Sequence, residues 1–389
     1  MNFDAPIDRR GTNSNKWDDM EAKYGVSPND GLAMWVADTD FQAPDCIQAA
    51  LGEWAKRGVY GYEGSDAAYR RAVVWWMQNR HGWSIQPDWI FSVHGLVNGT
   101  GMCIDTFTKP GDGVILFTPV YHAFARVIRA SGRDLIECPL AQVDGQYRMD
   151  FEAYEGQLKG HERLIILCSP HNPGGRIWSR DELQELAAFA RRHDMIIVSD
   201  EIHHDLTFSG TQHTVMADLD DISERLVTMT SATKTFNIAG AHTGQVIIGD
   251  PDLRARFATR YQALGISPNA PGILMTTAAF SAEGAAWVDE LTRYIDGNRQ
   301  VFEAGMAAIP GVRPMPLQGT YLAWIDFKDT GMEAPEILDR IEKRAKIAAS
   351  HGASFGTGGD TFMRFNLGTQ RSVVQEATRR LQKAFSDLQ

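Results

Sequence analysis

Between about residue 90 and residue 250 the chain alternates short β-branched apolar runs with longer helical patterns, which restricts it to few architectures. The runs lie at 113–117, 164–167, 195–199, 226–229 and 245–248. Continuous apolar runs of this length suit strands buried on both faces, and helices between them imply a mostly parallel sheet with crossover connections. One crossover helix has a marked start. Ser179 and Glu182 form a capping-box pattern, and Leu183, Leu186, Ala187 and Ala190 follow at helical spacing. After about residue 285 the pattern changes to helical periodicity at 288–308, 333–349 and 371–387 around strands expected at 320–327 and 362–366, a smaller α+β unit. The first 45 residues carry little periodicity and several Gly, Pro and Asn, so they read as an extended arm packed on that unit or on a neighbouring subunit. A chain of 389 residues suits two domains, divided here as a large one at 46–285 and an arm plus small domain at 1–45 and 286–389. No repeat or linker-like tract separates them.

Composition narrows the function class. A net charge of −11 without any Lys/Arg cluster opposes nucleic acid or an anionic membrane as the main partner and favours a small molecule. No apolar run approaches the ~20 residues of a membrane helix. The opening residues Met1 to Pro6 lack the basic start and apolar centre of a secretory signal, so the cytoplasm is the expected location. Cys46, Cys103, Cys138 and Cys168 are scattered with no metal-ligand spacing, which reads as reduced thiols and no metal site.

In open α/β sheets, ligands bind beyond the carboxyl ends of the strands. Three consecutive expected strands here end in polar chemistry: one runs into Ser169-Pro170-His171-Asn172-Pro173-Gly174-Gly175, the next into Asp200-Glu201-Ile202-His203, and the third into Ser231-Ala232-Thr233-Lys234-Thr235. An amide, a carboxylate and a lysine are thus delivered to one edge. Alone, each has a plainer reading, since an Asp at a strand end is commonly a cap and a lone Lys a solvated surface residue.

Their order and spacing resemble the fold-type I, aspartate-aminotransferase-like enzymes that depend on pyridoxal 5'-phosphate. Asn172 precedes Asp200 by 28 residues and Asp200 precedes Lys234 by 34, and the motifs Asn-Pro-x-Gly, Asp-x-x-His and Ser-x-Thr-Lys stand at those positions. The resemblance implies that fold, with a large domain around a mostly parallel sheet and a smaller α+β domain. It implies that Lys234 holds the cofactor as an imine and later moves the Cα proton, a task suited to an amine made less basic by desolvation. Asp200 pairs with the protonated ring nitrogen, Asn172 reaches the phenolate oxygen and His203 supports the ring. Ser231, Thr233 and the N–H groups of Gly95, Leu96 and Val97, at the start of an expected helix, receive the phosphate; as a residue, Gly95 also reads as a turn glycine. Tyr121 matches the aromatic stacked on the ring. Tyr62 aligns with a tyrosine given to the phosphate by the other subunit of a homodimer, with Tyr60 as the competing choice. Arg364, in Phe362-Met363-Arg364-Phe365-Asn366, matches the arginine that grips the substrate α-carboxylate bidentately, with Asn172 and Tyr121 beside it.

The finer resemblance is to the MalY/PatB branch, the cystathionine or cysteine-S-conjugate β-lyases. It rests on the segments at 3–18, 34–41 and 170–178, on His171 and His203, and on Lys234-Thr235-Phe236-Asn237-Ile238-Ala239-Gly240. His242 stands where many aminotransferases place a phosphate-binding Arg, and Ala232 and Thr233 stand where the branch commonly has Pro and Ser. The implied reaction is elimination from cystathionine or another S-substituted cysteine to a thiol, pyruvate and ammonia. The alternative is an aminotransferase of the class I/II type, which shares the early steps.

Overall fold

The computed structural model describes residues 1–62 and 64–388 of the chain. In chain order the strands are β1 (Leu32–Met34), β2 (Ile90–Val93), β3 (Gly113–Thr118), β4 (Asp134–Pro139), β5 (Ala141–Val143), β6 (Gln146–Arg148), β7 (Glu162–Cys168), β8 (Ile196–Asp200), β9 (Leu226–Thr230), β10 (Gly244–Ile247), β11 (Arg313–Pro314), β12 (Leu322–Asp326), β13 (Ile347–His351) and β14 (Phe362–Asn366). Seven of them form one sheet in the order β2-β10-β9-β8-β7-β3-β4, and five form another in the order β1-β13-β14-β12-β11. The five apolar runs read from the sequence are β3, β7, β8, β9 and β10.

In the larger sheet β4, β3, β7, β8 and β9 run parallel, and every residue of β3 and β9 is buried, as sheets covered on both faces require. β10 is the exception, antiparallel to both β9 and β2. Only a short connection, 231–243, joins β9 to β10, too little for a full crossover helix, so the chain turns back instead of crossing over. The parallel order places the ends of β7, β8 and β9 side by side, with Cys168 opposite Asp200 and Asp200 opposite Met229. The crossover helix Arg180–Arg192 delivers the chain to β8. It is opened by the expected capping box, in which Ser179 Oγ accepts from Glu182 N at 3.2 Å and Glu182 Oε2 accepts from Ser179 N at 2.8 Å.

The smaller sheet corrects two expectations. The helix expected over 333–349 stops early: a helical turn at Ala334–Leu338 passes into a π-helical turn at Asp339–Arg344, and Lys346, at φ 55°, breaks the chain into β13. An Ala-rich stretch has good helical propensity, but burial between β1 and β14 decides otherwise. The first 45 residues are also more than an extended arm, because they form helices at Asn15–Asp18 and Met20–Tyr24 and add β1 in parallel to β13. The long helix Ala282–Ala307 ties the two layers together, with Trp287 stacked on Phe236 at 5.6 Å and Phe302 packed on Phe365 at 5.2 Å. Among the described residues no helix is long and apolar enough to cross a membrane.

Candidate active site

The three loaded strand ends open into one cavity of about 730 Å³, walled on its far side by residues of the smaller sheet. Lys234 stands in the turn Ala232–Thr235 directly after β9, a turn whose start is capped by Ser231 Oγ accepting from Thr233 N at 3.1 Å. Its Nζ donates to the carbonyl of Ala37 at 2.6 Å. Burial lowers the amine to about 8, helped by the charge of Arg364 and opposed by Asp38 and Asp200. A neutral fraction on the order of a tenth therefore exists at pH 7, far above that of an ordinary lysine.

Asp200 ends β8 and is 5% exposed. Its Oδ1 accepts from Ile202 N at 3.1 Å, and among the described residues no cation lies within ion-pairing distance. Burial, with the nearby Glu201 charge, pushes its carboxyl up to about 7. A buried carboxylate at a cavity wall without a positive partner is a site waiting for a cation on the ligand side.

Arg364 reaches the same cavity from β14. Nη1 donates to Asn172 Oδ1 at 2.9 Å, and Nη2 donates to Trp35 O at 2.6 Å and to Ser350 Oγ at 3.1 Å. The guanidinium lies 4.9 Å over the Phe355 ring. These bonds use three of its five N–H groups, and Nε has no partner among the described residues. An arginine so held, with donors to spare, suits a planar anion such as a carboxylate.

Of the remaining expected residues, Tyr121, Asn172, His203 and Thr233 line the same cavity, as do Gly95, Leu96 and Val97. Gly95 sits at φ 84°, a conformation L side chains rarely adopt, at the N-cap of the helix Leu96–Phe107, so that helix presents its first N–H groups to the cavity. Tyr121 N donates to Asn172 O at 3.1 Å, linking the ring's backbone to the amide's loop. His203 is buried edge-on to Tyr321, its Nδ1 without a partner among the described residues, and burial with the Lys234 and Arg364 charges lowers it to about 3, so the ring is neutral.

Ser231 departs from the expectation. It is fully buried and does not line the cavity, its hydroxyl donating to Thr243 O at 2.8 Å and accepting from the Thr233 backbone, so it caps the turn that carries Lys234. Tyr62 is fully exposed, outside its own chain's cavity. Tyr60 is also exposed, though its ring lies 4.6 Å from Trp54 and its hydroxyl donates to Ala55 O at 3.3 Å. His242 lines the cavity in a left-handed conformation, φ 43°.

The sequence reading missed a strap. Residues 35–40 form it: its first part, Trp35 to Ala37, lines the cavity and meets both charged side chains through backbone carbonyls, Trp35 O taking Arg364 and Ala37 O taking Lys234 and the Tyr321 hydroxyl at 3.0 Å. Asn366 Nδ2 donates to both Val36 O and Asp38 O at 2.5 Å. The strap's far end is held by charge. Lys16, 0% exposed, donates to Asp40 at 2.8 Å, and Arg9 spans Asp38 at 3.0 and 2.8 Å. Carbonyl acceptors carry no side-chain signature, so only the buried Lys16 and its two aspartates could have marked the strap in advance.

A cation-seeking carboxylate, a weakly basic amine and an anion-binding helix start around one cavity fit the ring nitrogen, aldehyde and phosphate of pyridoxal phosphate. Comparisons with known proteins point the same way. The pattern of the family described as aminotransferase class I and II matches residues 36–381. The chain is 41% identical over 390 residues to cystathionine beta-lyase PatB of Bacillus subtilis (strain 168), covering 99% of this chain and 100% of that one. It is 29% identical over 383 residues to protein MalY of Escherichia coli (strain K12), covering 97% and 96%. Among solved structures, cystalysin from Treponema denticola, which contains pyridoxal 5'-phosphate, superposes with a TM-score of 0.94 at 36% identity over 100% of this chain and 99% of that one. The PLP-bound C-S lyase from Staphylococcus hominis superposes with a TM-score of 0.90 at 26% identity over 100% and 98%.

Proposed function

The chain belongs to the class I and II aminotransferase family, with the aspartate-aminotransferase-like fold and pyridoxal 5'-phosphate as cofactor, and we propose that it acts as a C–S β-lyase on cystathionine or other S-substituted cysteines. The meeting of Lys234, Asp200 and Arg364 in one cavity supports the cofactor chemistry, and the observation that carries the lyase reading is the 41% identity over the whole chain to cystathionine beta-lyase PatB. The net reaction takes an S-substituted cysteine and water to a thiol, pyruvate and ammonia, with the Cα–H and Cβ–S bonds broken by elimination and the Cα–N bond then broken by water.

Bound pyridoxal phosphate supplies an electron sink for the charge left at Cα when its proton departs. The protein's side chains do the rest. Asp200 holds the cofactor's ring nitrogen in its protonated form, since a buried carboxylate favours a cation at its side. Thr233 and the N–H groups of Gly95, Leu96 and Val97 receive the phosphate. Tyr121 and the neutral His203 wall the ring, and Asn172 both reaches the cofactor oxygen and orients Arg364. Arg364 takes the substrate α-carboxylate and so sets which Cα bond faces Lys234. Lys234, partly neutral near pH 7, accepts the Cα proton and can return one to the departing sulphur. Tyr62 of one subunit completes the phosphate site of the other, making the homodimer the working unit.

The test is a panel of S-substituted cysteines offered to the purified enzyme without an amino acceptor. Release of thiol and pyruvate in equal amounts supports the lyase. A keto acid formed only when an amino acceptor is added would assign the chain to the aminotransferases instead.

A further inference from the structure

Behind the cavity lies a buried charged cluster that the reaction as described does not use. Asp205, five residues past Asp200, is buried with its side chain 0% exposed. Its Oδ1 accepts from Trp76 Nε1 at 3.0 Å and meets His81 Nε2 at 2.9 Å. Its Oδ2 accepts from Thr235 Oγ1 at 2.9 Å and has His204 Nε2 at 3.4 Å. The other buried carboxylate of this loop, Glu201, is separately served by His213 at 2.8 Å, Ser199 Oγ at 2.9 Å and Met216 N at 3.1 Å. The His81 and His204 rings stack at 4.0 Å and 22°. Lone pairs in near-parallel planes do not converge on one point, which disfavours a metal ion between them.

We propose that Asp205 is a positioning residue: through the Thr235 hydroxyl it fixes the turn that carries Lys234 against the turn that carries Asp200 and His203. Thr235 directly follows Lys234 and is itself fully buried, so its side chain faces inward to the cluster while Lys234 faces the cavity. Trp76 and His81 belong to the helix Ala67–His81, so the same carboxylate pins both turns to a third element. Burial works against the charge on Asp205, but His204 and His81 outweigh it and hold its carboxyl well below the ordinary range. His81 itself is lowered to about 4, chiefly by burial, so it acts as a neutral donor through Nε2–H. Asp205 is therefore an anion and His81 a neutral donor near neutral pH, and the Trp76, His81 and Thr235 bonds give the carboxylate a fixed direction. A proton-transferring amine gains from such a mount, because displacement by about 1 Å can cost about 10²-fold in rate.

This inference rests on Lys234 being the cofactor lysine. The test compares Thr235→Val, which keeps the shape and removes the hydroxyl, with Thr235→Ser, which keeps the hydroxyl. In the holoenzyme Thr235→Val is expected to lower kcat by about 10-fold or more, leave KM within about twofold and shift the pH midpoint of the bound cofactor's visible absorbance, since Lys234 is displaced without loss of Arg364. Thr235→Ser is expected to restore both. Thr235→Ala is run in parallel, so that intolerance of the valine methyl does not decide the result. Wild-type kcat and midpoint in Thr235→Val or Thr235→Ala would overturn the proposal, as would a serine variant as impaired as they are. The underlying reading has its own control. If Lys234→Ala keeps the cofactor absorbance and full turnover, the lysine's role is wrong. If Lys234→Ala is dead while the Thr235 variants behave as wild type, only the positioning role falls.

Discussion

Asp200 offers a prediction whose sign depends on whether the cofactor is bound. In the cofactor-free protein its carboxyl is raised from 3.8 to about 7, mainly by burial, so the folded state keeps a proton that the unfolded state has released. Between those values the native state binds more protons, and stability falls as pH rises, by ~4 kcal/mol across the full range and ~2.5 kcal/mol between about pH 5 and about pH 8. Asp200→Asn removes this titration while nearly preserving shape. Urea unfolding of the cofactor-free wild type and variant should therefore give profiles that diverge by ~2–3 kcal/mol over that interval, with the variant relatively more stable at the alkaline end. Loading the cofactor should reverse the comparison, because a ring cation beside Asp200 returns its carboxyl towards the ordinary range and gives the wild type a partner that the variant lacks. Activity of the loaded variant should fall sharply. Parallel pH profiles for the two cofactor-free proteins would refute the claim that Asp200 is an uncompensated buried carboxyl.

Three further outcomes are expected. Arg364→Lys exchanges a fork held by Asn172, Trp35 and Ser350 for a point charge; the loss of one charge-assisted hydrogen bond, ~1.5–3 kcal/mol, should lower kcat/KM by about 10–150-fold, mostly through KM. Ser231→Ala should cost ~1 kcal/mol of stability through the lost cap and leave cofactor affinity nearly unchanged, whereas Thr233→Val, at the cavity wall, should weaken cofactor binding in equilibrium dialysis by ~1.5 kcal/mol or more. Mixing inactive Lys234→Ala subunits with cofactor-deficient Tyr62→Phe subunits should regain activity, since one site of the hybrid then has both native residues; no recovery on subunit exchange would remove Tyr62 from the neighbour's site.

What could be read from the sequence alone was whatever a side-chain pattern encodes locally. The apolar runs that became β3, β7, β8 and β9 needed no tertiary context, because burial on both faces demands an unbroken apolar stretch. The capping box at Ser179 was equally local. Spacing between Asn172, Asp200 and Lys234 was legible for the same reason: each lies at or within a few residues of the end of its strand, and parallel neighbours bring their ends together. Tertiary structure decided what depends on a partner far along the chain. Burial between two other strands made β13 from an Ala-rich segment that reads as helix. The Thr243 carbonyl engaged the Ser231 hydroxyl, which by motif matched a phosphate donor, and left that side chain out of the cavity lining. The strap at 35–40 acts through carbonyls, which every residue possesses and no sequence distinguishes, and Asp205 gained its place only when Trp76, His81 and Thr235 folded around it. The residue types a reaction needs are local choices, whereas their exact directions and protonation states follow from burial and neighbours that the fold alone supplies.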